Sequence, residues 1–409
     1  MSFQRAFQAA RQLLTVVLTG SASLTGFAAS PADQENLVAA NNQFAFDLMQ
    51  QVVLAHTNAN VFLSPFSAAT ALQMVANGAA GQTKTEIQQV LHTIGITDAT
   101  LNESFQTLNQ SFTSRSNVTL TLANGLWVQP EFPLKPDFVS ENCQYFGAEL
   151  AALDFNLPAS AQTINDWASR QTHGKIPEVV QYPFDPHMRL ILANAIYFKG
   201  KWVTEFAKSE TSRWRFDLPG GETKSTPMMS QHQKYEYEET ESYQAVRLAY
   251  KGGLRMTVFL PAAVHTPLQL LRTFGRDGIW QKNIQPAFEN LEGTVSLPKF
   301  KIEFGLELNT PLKELGMRTA FEKTDANFSG ISEKPVFVSA VKQKSCVEVN
   351  DEGTEAADVS SLIFSTAGID RNAPKKFYMY IDRPFLFTIE DEATGAILFM
   401  GIINNPETD

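Results

Sequence analysis

Six histidines, His56, His92, His173, His187, His232 and His265, are the chain's whole supply of side chains that exchange protons near neutral pH. A hydrolase or transferase would hold one of them at a fixed spacing from a nucleophile or a metal. No HExxH, GxSxG, GxGxxG or Walker-type pattern surrounds any of them. His173 beside Gly174, at the end of a helical pattern, reads as a C-terminal residue favoured by the helix dipole. The adjacent carboxylates Asp351 and Glu352 fall in a segment that reads as exposed, so a solvated face accounts for them better than acid/base work. The two cysteines, Cys143 and Cys346, allow one bridge at most and form no CxxC pair, so buried free thiols are favoured over a disulfide and a structural zinc site is not expected. These residues argue against an enzyme, and they imply neither metal nor cofactor.

The elements around them follow from periodicity. Phe44, Leu48 and Val52 repeat at four-residue spacing, which predicts an amphipathic helix over 41–55. Ser64 before Pro65 is a helix start, with Ala68, Leu72 and Val75 as its buried stripe and Gly78 as its end. Thr266-Pro267 and Thr310-Pro311 repeat that device, closed by Gly275 and Gly316. A further helix carries Ile164, Trp167 and Ala168 and stops at Gly174. Segments 119–128, 191–198, 246–260, 294–303 and 336–349 are rich in β-branched and aromatic residues and read as strands, and 385–389 with 397–400 as a buried hairpin. Helices mostly early and strands mostly late, without βαβ alternation, predict an α+β fold with large, mainly antiparallel sheets.

At roughly 150 residues per domain, 409 residues allow two to three domains or one large one, and no linker or repeat divides the chain before residue 350. Lys+Arg 33 against Asp+Glu 43 gives a net charge of −10, which argues against a nucleic-acid partner, since that affinity is built from clustered cations. Residues 1–29 read as a signal peptide, with Arg5 and Arg11 ahead of an apolar stretch over Leu13–Leu18 and small residues up to Ala28, Ala29 and Ser30. The chain is therefore expected to be secreted, in a periplasmic or extracellular setting; the alternative is an amphipathic helix retained at the N-terminus. The stretch is too short and too polar for a membrane span, and no later segment reads as one.

The segment from 345 to 376 is unusual. About thirty residues separate two strong strands, far beyond an ordinary connection. Its start is small and polar, whereas Val359, Leu362, Ile363 and Phe364 carry strand propensity that a linker does not need. It is a loop able to become a strand.

Here the chain resembles the serpin family. Asp351 to Ala357 (DEGTEAA) is similar to the family's mobile hinge, Asn60 to Ser67 to its NxFxSPxS, Asn194 to Trp202 (NAIYFKGKW) to its NAxYFKGxW, and Pro384 to Pro406 to its C-terminal signature; Leu312 to Gly330 fits as well. The matches run from about residue 35 to 406. The resemblance implies a single domain over 30–409 with about eight or nine helices and an exposed reactive-centre loop at about 353–376. It implies a monomeric suicide-substrate inhibitor of serine proteases, whose cut loop inserts into the main sheet and traps the acyl-enzyme. The hinge would be Gly353, Thr354, Glu355, Ala356 and Ala357. Thr354, Ala356, Asp358, Ser360, Leu362 and Phe364 would face the core at period two. A strand from Gly353 to Ala367 would reach ~50 Å at about 3.3 Å per residue.

Counting Gly353 as the fifteenth residue before the cut, family spacing places the reactive bond at Ala367-Gly368. So small a residue as Ala367 favours an elastase-like or subtilisin-like target. Arg371 would suit a trypsin-like protease and Phe364 a chymotrypsin-like one, four residues beyond and three before the expected position. The resemblance also assigns Ser64, Ser67 and Asn194 to a buried polar shutter and Trp202 to the breach where insertion begins; from local sequence alone Ser64 is a helix cap and Trp202 core packing. Two residues depart from the family. Gln343 stands in place of the usual shutter histidine, and Asp358 puts a carboxylate on the inserting face, where burial without a partner costs several kcal/mol. The departures motivate a second reading, a non-inhibitory binding, carrier or chaperone-like serpin whose loop is only cleaved. Four Asn-x-Ser/Thr sequons lie at Asn102, Asn109, Asn117 and Asn327, and no basic cluster of the heparin-binding kind stands out.

Overall fold

The computed structural model describes residues 29–351 and 376–407. The signal-peptide expectation, the hinge residues 353–357, Phe364, the bond Ala367-Gly368 and Arg371 lie outside the described residues. Helices α1 (Pro31–Ala55), α2 (Pro65–Ala76), α3 (Gly81–Val90), α4 (Asp98–Thr113), α5 (Pro136–Phe146) and α6 (Pro158–Gln171) occupy the first half; α7 (Pro267–Phe274) and α8 (Asn309–Glu314) follow later. Strands β1 (Val61–Leu63), β2 (Val118–Val128), β3 (Glu149–Ala152), β4 (Leu190–Gly200), β5 (Ser212–Asp217), β6 (Thr223–Glu239) and β7 (Tyr243–Tyr250) are interleaved with them. The rest are β8 (Leu254–Pro261), β9 (Glu289–Pro298), β10 (Phe300–Glu307), β11 (Val338–Val349), β12 (Lys376–Tyr380), β13 (Phe385–Asp391) and β14 (Ile397–Ile403). The fold is α+β, as the distribution of patterns predicts.

Two sheets carry it. The first has nine strands, ordered β1-β14-β13-β8-β7-β6-β9-β12 with β5 paired to β6; the second has five, ordered β10-β11-β4-β2-β3. β13 and β14 are buried at every position, as expected of strands covered on both faces. α2 is also buried all round and lies between the sheets, packing on β14, β4 and β2. On the other face of the five-stranded sheet, Trp127, Ile191, Ala193 and Ala195 pack under Ile164, Trp167 and Ala168 of α6 in a second core.

Several boundaries differ from those expected. Segment 246–260 is two strands, because Gly252 and Gly253 take positive φ (96° and 76°) and turn the chain between β7 and β8. Segment 294–303 is likewise two strands, each in a different sheet, with Lys299 between them. α2 ends at Ala76 rather than at Gly78, and α6 at Gln171 rather than at Gly174, so His173 (φ 52°) lies past the helix end. α8 begins at Asn309 with Leu308 as its uncapped start, which puts Thr310 inside the first turn. Both cysteines are free, but Cys143 is exposed, not buried, because it lies on the outer side of α5.

Candidate functional site: the seam between β4 and β11

β4 and β11 run parallel in the middle of the five-stranded sheet, with Gln343 opposite Asn194; β2 continues the row with Asn124 opposite Asn194. Three amide side chains thus stand side by side across three strands, all buried. Asn194 Nδ2 donates to Asn124 Oδ1 at 2.5 Å. Asn194 Oδ1, Asn124 Nδ2 and Ser67 Oγ are buried without a hydrogen-bond partner among the described residues, so the row is polar but not saturated.

The N-terminus of α2 meets this row. Ser64 caps the helix, its Oγ accepting from Ser67 N at 3.3 Å and donating to the Leu398 carbonyl at 2.7 Å. Gln343 Oε1 accepts from Ser64 N at 2.9 Å while Gln343 Nε2 donates to Ser64 O at 3.0 Å. Two residues on, Ser345 Oγ donates to Phe62 O at 2.7 Å. Sequence reasoning missed Asn124 and Ser345. The signal was available in the period-two spacing of Gln343 and Ser345 on a strand whose other inward residues are apolar. Ser64, Ser67, Asn194 and Gln343 are therefore brought together, and Trp202 sits apart from them at the end of the seam.

There Trp202 is buried, stacks on Tyr250 at 4.1 Å, and donates from Nε1 to Asn350 O at 3.0 Å. Phe206 N donates to Asp351 O at 3.0 Å. The Asp351 carboxylate, read from sequence as solvated, is 4% exposed; it accepts from Thr211 Oγ1 and pairs with Lys299 Nζ. The cause is the path of the chain, since Lys299 links β9 to β10 and so arrives beside the end of β11. β11 is thus anchored at the last residue before segment 352–375.

A hydroxyl, an imidazole and a carboxylate do meet elsewhere: His232 contacts Thr294 Oγ1 and Glu292 Oε1, each at 3.0 Å. They stand on an open sheet face, the His232 and Glu292 side chains 29% and 35% exposed, and Lys376 also binds that carboxylate, at 2.9 Å. Nothing there excludes water or supplies an oxyanion site. Among the described residues no group of three or more His, Cys, Asp or Glu is placed to hold a metal. Of the four sequons, Asn102 is fully buried and donates to Glu141 at 2.9 Å, so it offers no amide for glycosylation in the folded chain.

Residues 39–406 match the family model described as serpin (serine protease inhibitor). The leukocyte elastase inhibitor of Bos taurus is 36% identical over 384 residues, covering 91% of this chain and all of that protein. Among solved structures, the thermophilic serpin tengpin in its native state superposes with a TM-score of 0.81 at 26% identity, over 90% of this chain and 94% of that one. Mouse protein-Z dependent protease inhibitor gives 0.82 at 26%, over 91% and 98%. With a continuous match over nearly all of the described fold, the chain belongs to the serpin family of serine protease inhibitors, and it is not an enzyme.

Proposed function

We propose that the chain is a suicide-substrate inhibitor of serine proteases and that Ala367-Gly368 is its reactive bond. The protease serine attacks the Ala367 carbonyl carbon, the amide bond to Gly368 breaks, and the Gly368 nitrogen leaves as an amine carrying the transferred proton. Ala367 stays on the enzyme as an ester. The cut segment then folds back from the end of β11 and enters between β4 and β11.

The observation that carries this reading is the direction of the seam. β4 and β11 are parallel, and segment 352–375 follows directly after Asp351 at the end of β11. A strand turning back there would be antiparallel to both neighbours, so one parallel pairing would give way to two antiparallel ones, which are stronger per residue. The unsaturated amide row across the seam supports the same reading, because its hydrogen bonds can be exchanged as the strands part. The small Ala367 and the name of the bovine relative favour an elastase-like target, with subtilisin-like next.

The test is incubation with elastase, subtilisin, trypsin and chymotrypsin, followed by a denaturing gel and the mass of the released C-terminal peptide. An SDS-stable adduct and a peptide beginning at Gly368 are expected. Complete cleavage by every protease with no adduct would overturn inhibition and favour the non-inhibitory reading, which Asp358 motivates. In that case the cleaved chain should melt no higher than the intact one, and Asp358→Ala is the first replacement to make. We further read residues 1–29 as an export signal; N-terminal sequencing of chain recovered outside the expressing cell, beginning near Ser30, is the expected result.

A further inference from the structure

We propose that Trp214, Tyr378 and Tyr380 form a second contact surface for the attacking protease, beside the bait segment, that speeds encounter without taking part in trapping. The identity of the occupant rests on the inhibitory reading; the surface itself rests on the following geometry. In β12, Phe377 and Met379 are buried, as alternation requires, and the outward positions hold Lys376, Tyr378 and Tyr380, the two tyrosines 59% and 46% exposed. In β5, Trp214 is 55% exposed and its ring stacks on that of Tyr380, 6.4 Å between centroids and 13° between planes. A backbone hydrogen bond of 2.7 Å from Asp217 N to Asp382 O ties the ends of the two strands together.

An edge strand in a monomer is ordinarily blunted by outward charge. Here β12, the last strand of its sheet among the described residues, carries charge on that face only at Lys376, which pairs with Glu292, and presents tyrosines at its other two outward positions. Tryptophan, tyrosine and arginine are the residue types that dominate binding energy at interfaces. A second copy of this chain is a poor occupant, since two bodies of net charge −10 repel each other. The protease is the better one because of where the bait segment ends. Lys376, the first residue of β12, directly follows it and lies eight residue steps beyond Gly368. Extended, those eight steps span at most about 28 Å. A protease of ordinary size has a radius of gyration of about 17 Å. A body that large, held on so short a tether, comes within contact distance of Tyr378 and Tyr380.

The test compares the full chain with the triple variant W214A/Y378S/Y380S and with Tyr378→Lys alone, the melting temperature of each checking that it folds. Two quantities are read: the second-order rate constant of adduct formation, and the Kd for the four proteases above with their catalytic serine replaced by alanine. For at least one protease, about tenfold slower association and a Kd weakened by a similar factor are expected. The ratio of adduct to cleaved chain, and cleavage of a synthetic peptide of residues 359–374, should stay unchanged. If wild type gives no adduct, the inhibitory reading fails, yet a weakened Kd still supports the surface. The proposal is overturned if all four Kd values stay within twofold of wild type, or if wild type is a dimer that the triple variant abolishes.

Discussion

Gln343 and Ser64 are joined at two points, the side-chain amide accepting from the Ser64 N–H at 2.9 Å and donating to the Ser64 carbonyl at 3.0 Å. An amide is suited to this because its donor and acceptor lie side by side, matching a backbone N–H and C=O. The contact pins β11 to the start of α2, and it must be released if the seam is to open. Gln343→Leu should leave the buried Ser64 N–H unpaired, while the Ser64 carbonyl still accepts from Ala68 N at 3.1 Å, and lower stability by about 1–3 kcal/mol, read from the urea midpoint. Gln343→His, the family's usual residue, retains only one of the two bonds. A ring nitrogen accepting from Ser64 N must be neutral, and burial holds it so by depressing its pKa. That stability is present above the unfolded value of about 6.5 and is lost as pH falls through the depressed one. The variant should therefore weaken at acid pH by more than wild type does.

The anchor at Asp351 sets a second expectation. Its carboxylate is 4% exposed and is matched by Lys299 and Thr211. Lys299→Met removes the cation but leaves the charge buried, which costs about 3–5 kcal/mol. Adding Asp351→Asn should recover much of that, since the neutral amide still accepts from Thr211. In the single variant, amide exchange at 344–350 should rise. Inhibitory activity should also decay faster on standing, because the start of the seam is no longer held shut.

How much of this was legible beforehand depends on the range of the interaction. The Ser64 and Thr266 caps, the hairpin of β13 and β14 and the α+β class are local or periodic signals, and the sequence carries them directly. The hinge and the shutter residues came from motif resemblance rather than from periodicity. Asp351 was misread because the partner that buries it, Lys299, is fifty-two positions away and reaches it only after β9 and β10 enter different sheets. Cys143 was misplaced for a related reason, since which face of α5 packs on the core is decided by tertiary contacts.

The two thiols should differ sharply in reactivity. Cys346 is buried in β11, and burial, then the nearby Glu303 carboxylate, pushes its pKa up to about 11. Almost none of it is thiolate at pH 8. Cys143 is exposed on α5. A thiol-exchange reagent at pH 8 should titrate one cysteine per native chain and two in urea. Mass spectrometry should assign the native modification to Cys143; modification of Cys346 in the native chain would mean that β11 opens on the timescale of the reaction.

The last expectation concerns the strand that follows the bait segment. Among the described residues β12 pairs with β9 alone, in parallel register with Lys376 opposite Glu292, and Lys234 of β6 lies across from the same glutamate. Hydrogen bonds from Lys376 and then His232, with the Lys376 charge next, hold the Glu292 carboxyl below its ordinary range. A depressed carboxylate contributes stability that is present above its ordinary value of 4.5 and is lost as pH falls through the lower folded value. Attachment of β12 should therefore be insensitive to pH between 5 and 8, as far as Glu292 governs it, and should weaken below about 4. Hydrogen exchange at 376–380, corrected for the intrinsic effect of pH, is the measurement. Protection should fall between pH 5.5 and 3.5, and Glu292→Gln should show the weakened level already at pH 5.5, whereas global stability at that pH changes little because the pair lies on the surface. Protection that falls equally in the glutamine variant on acidification would assign the effect to other carboxylates and leave Glu292 no part in holding the strand.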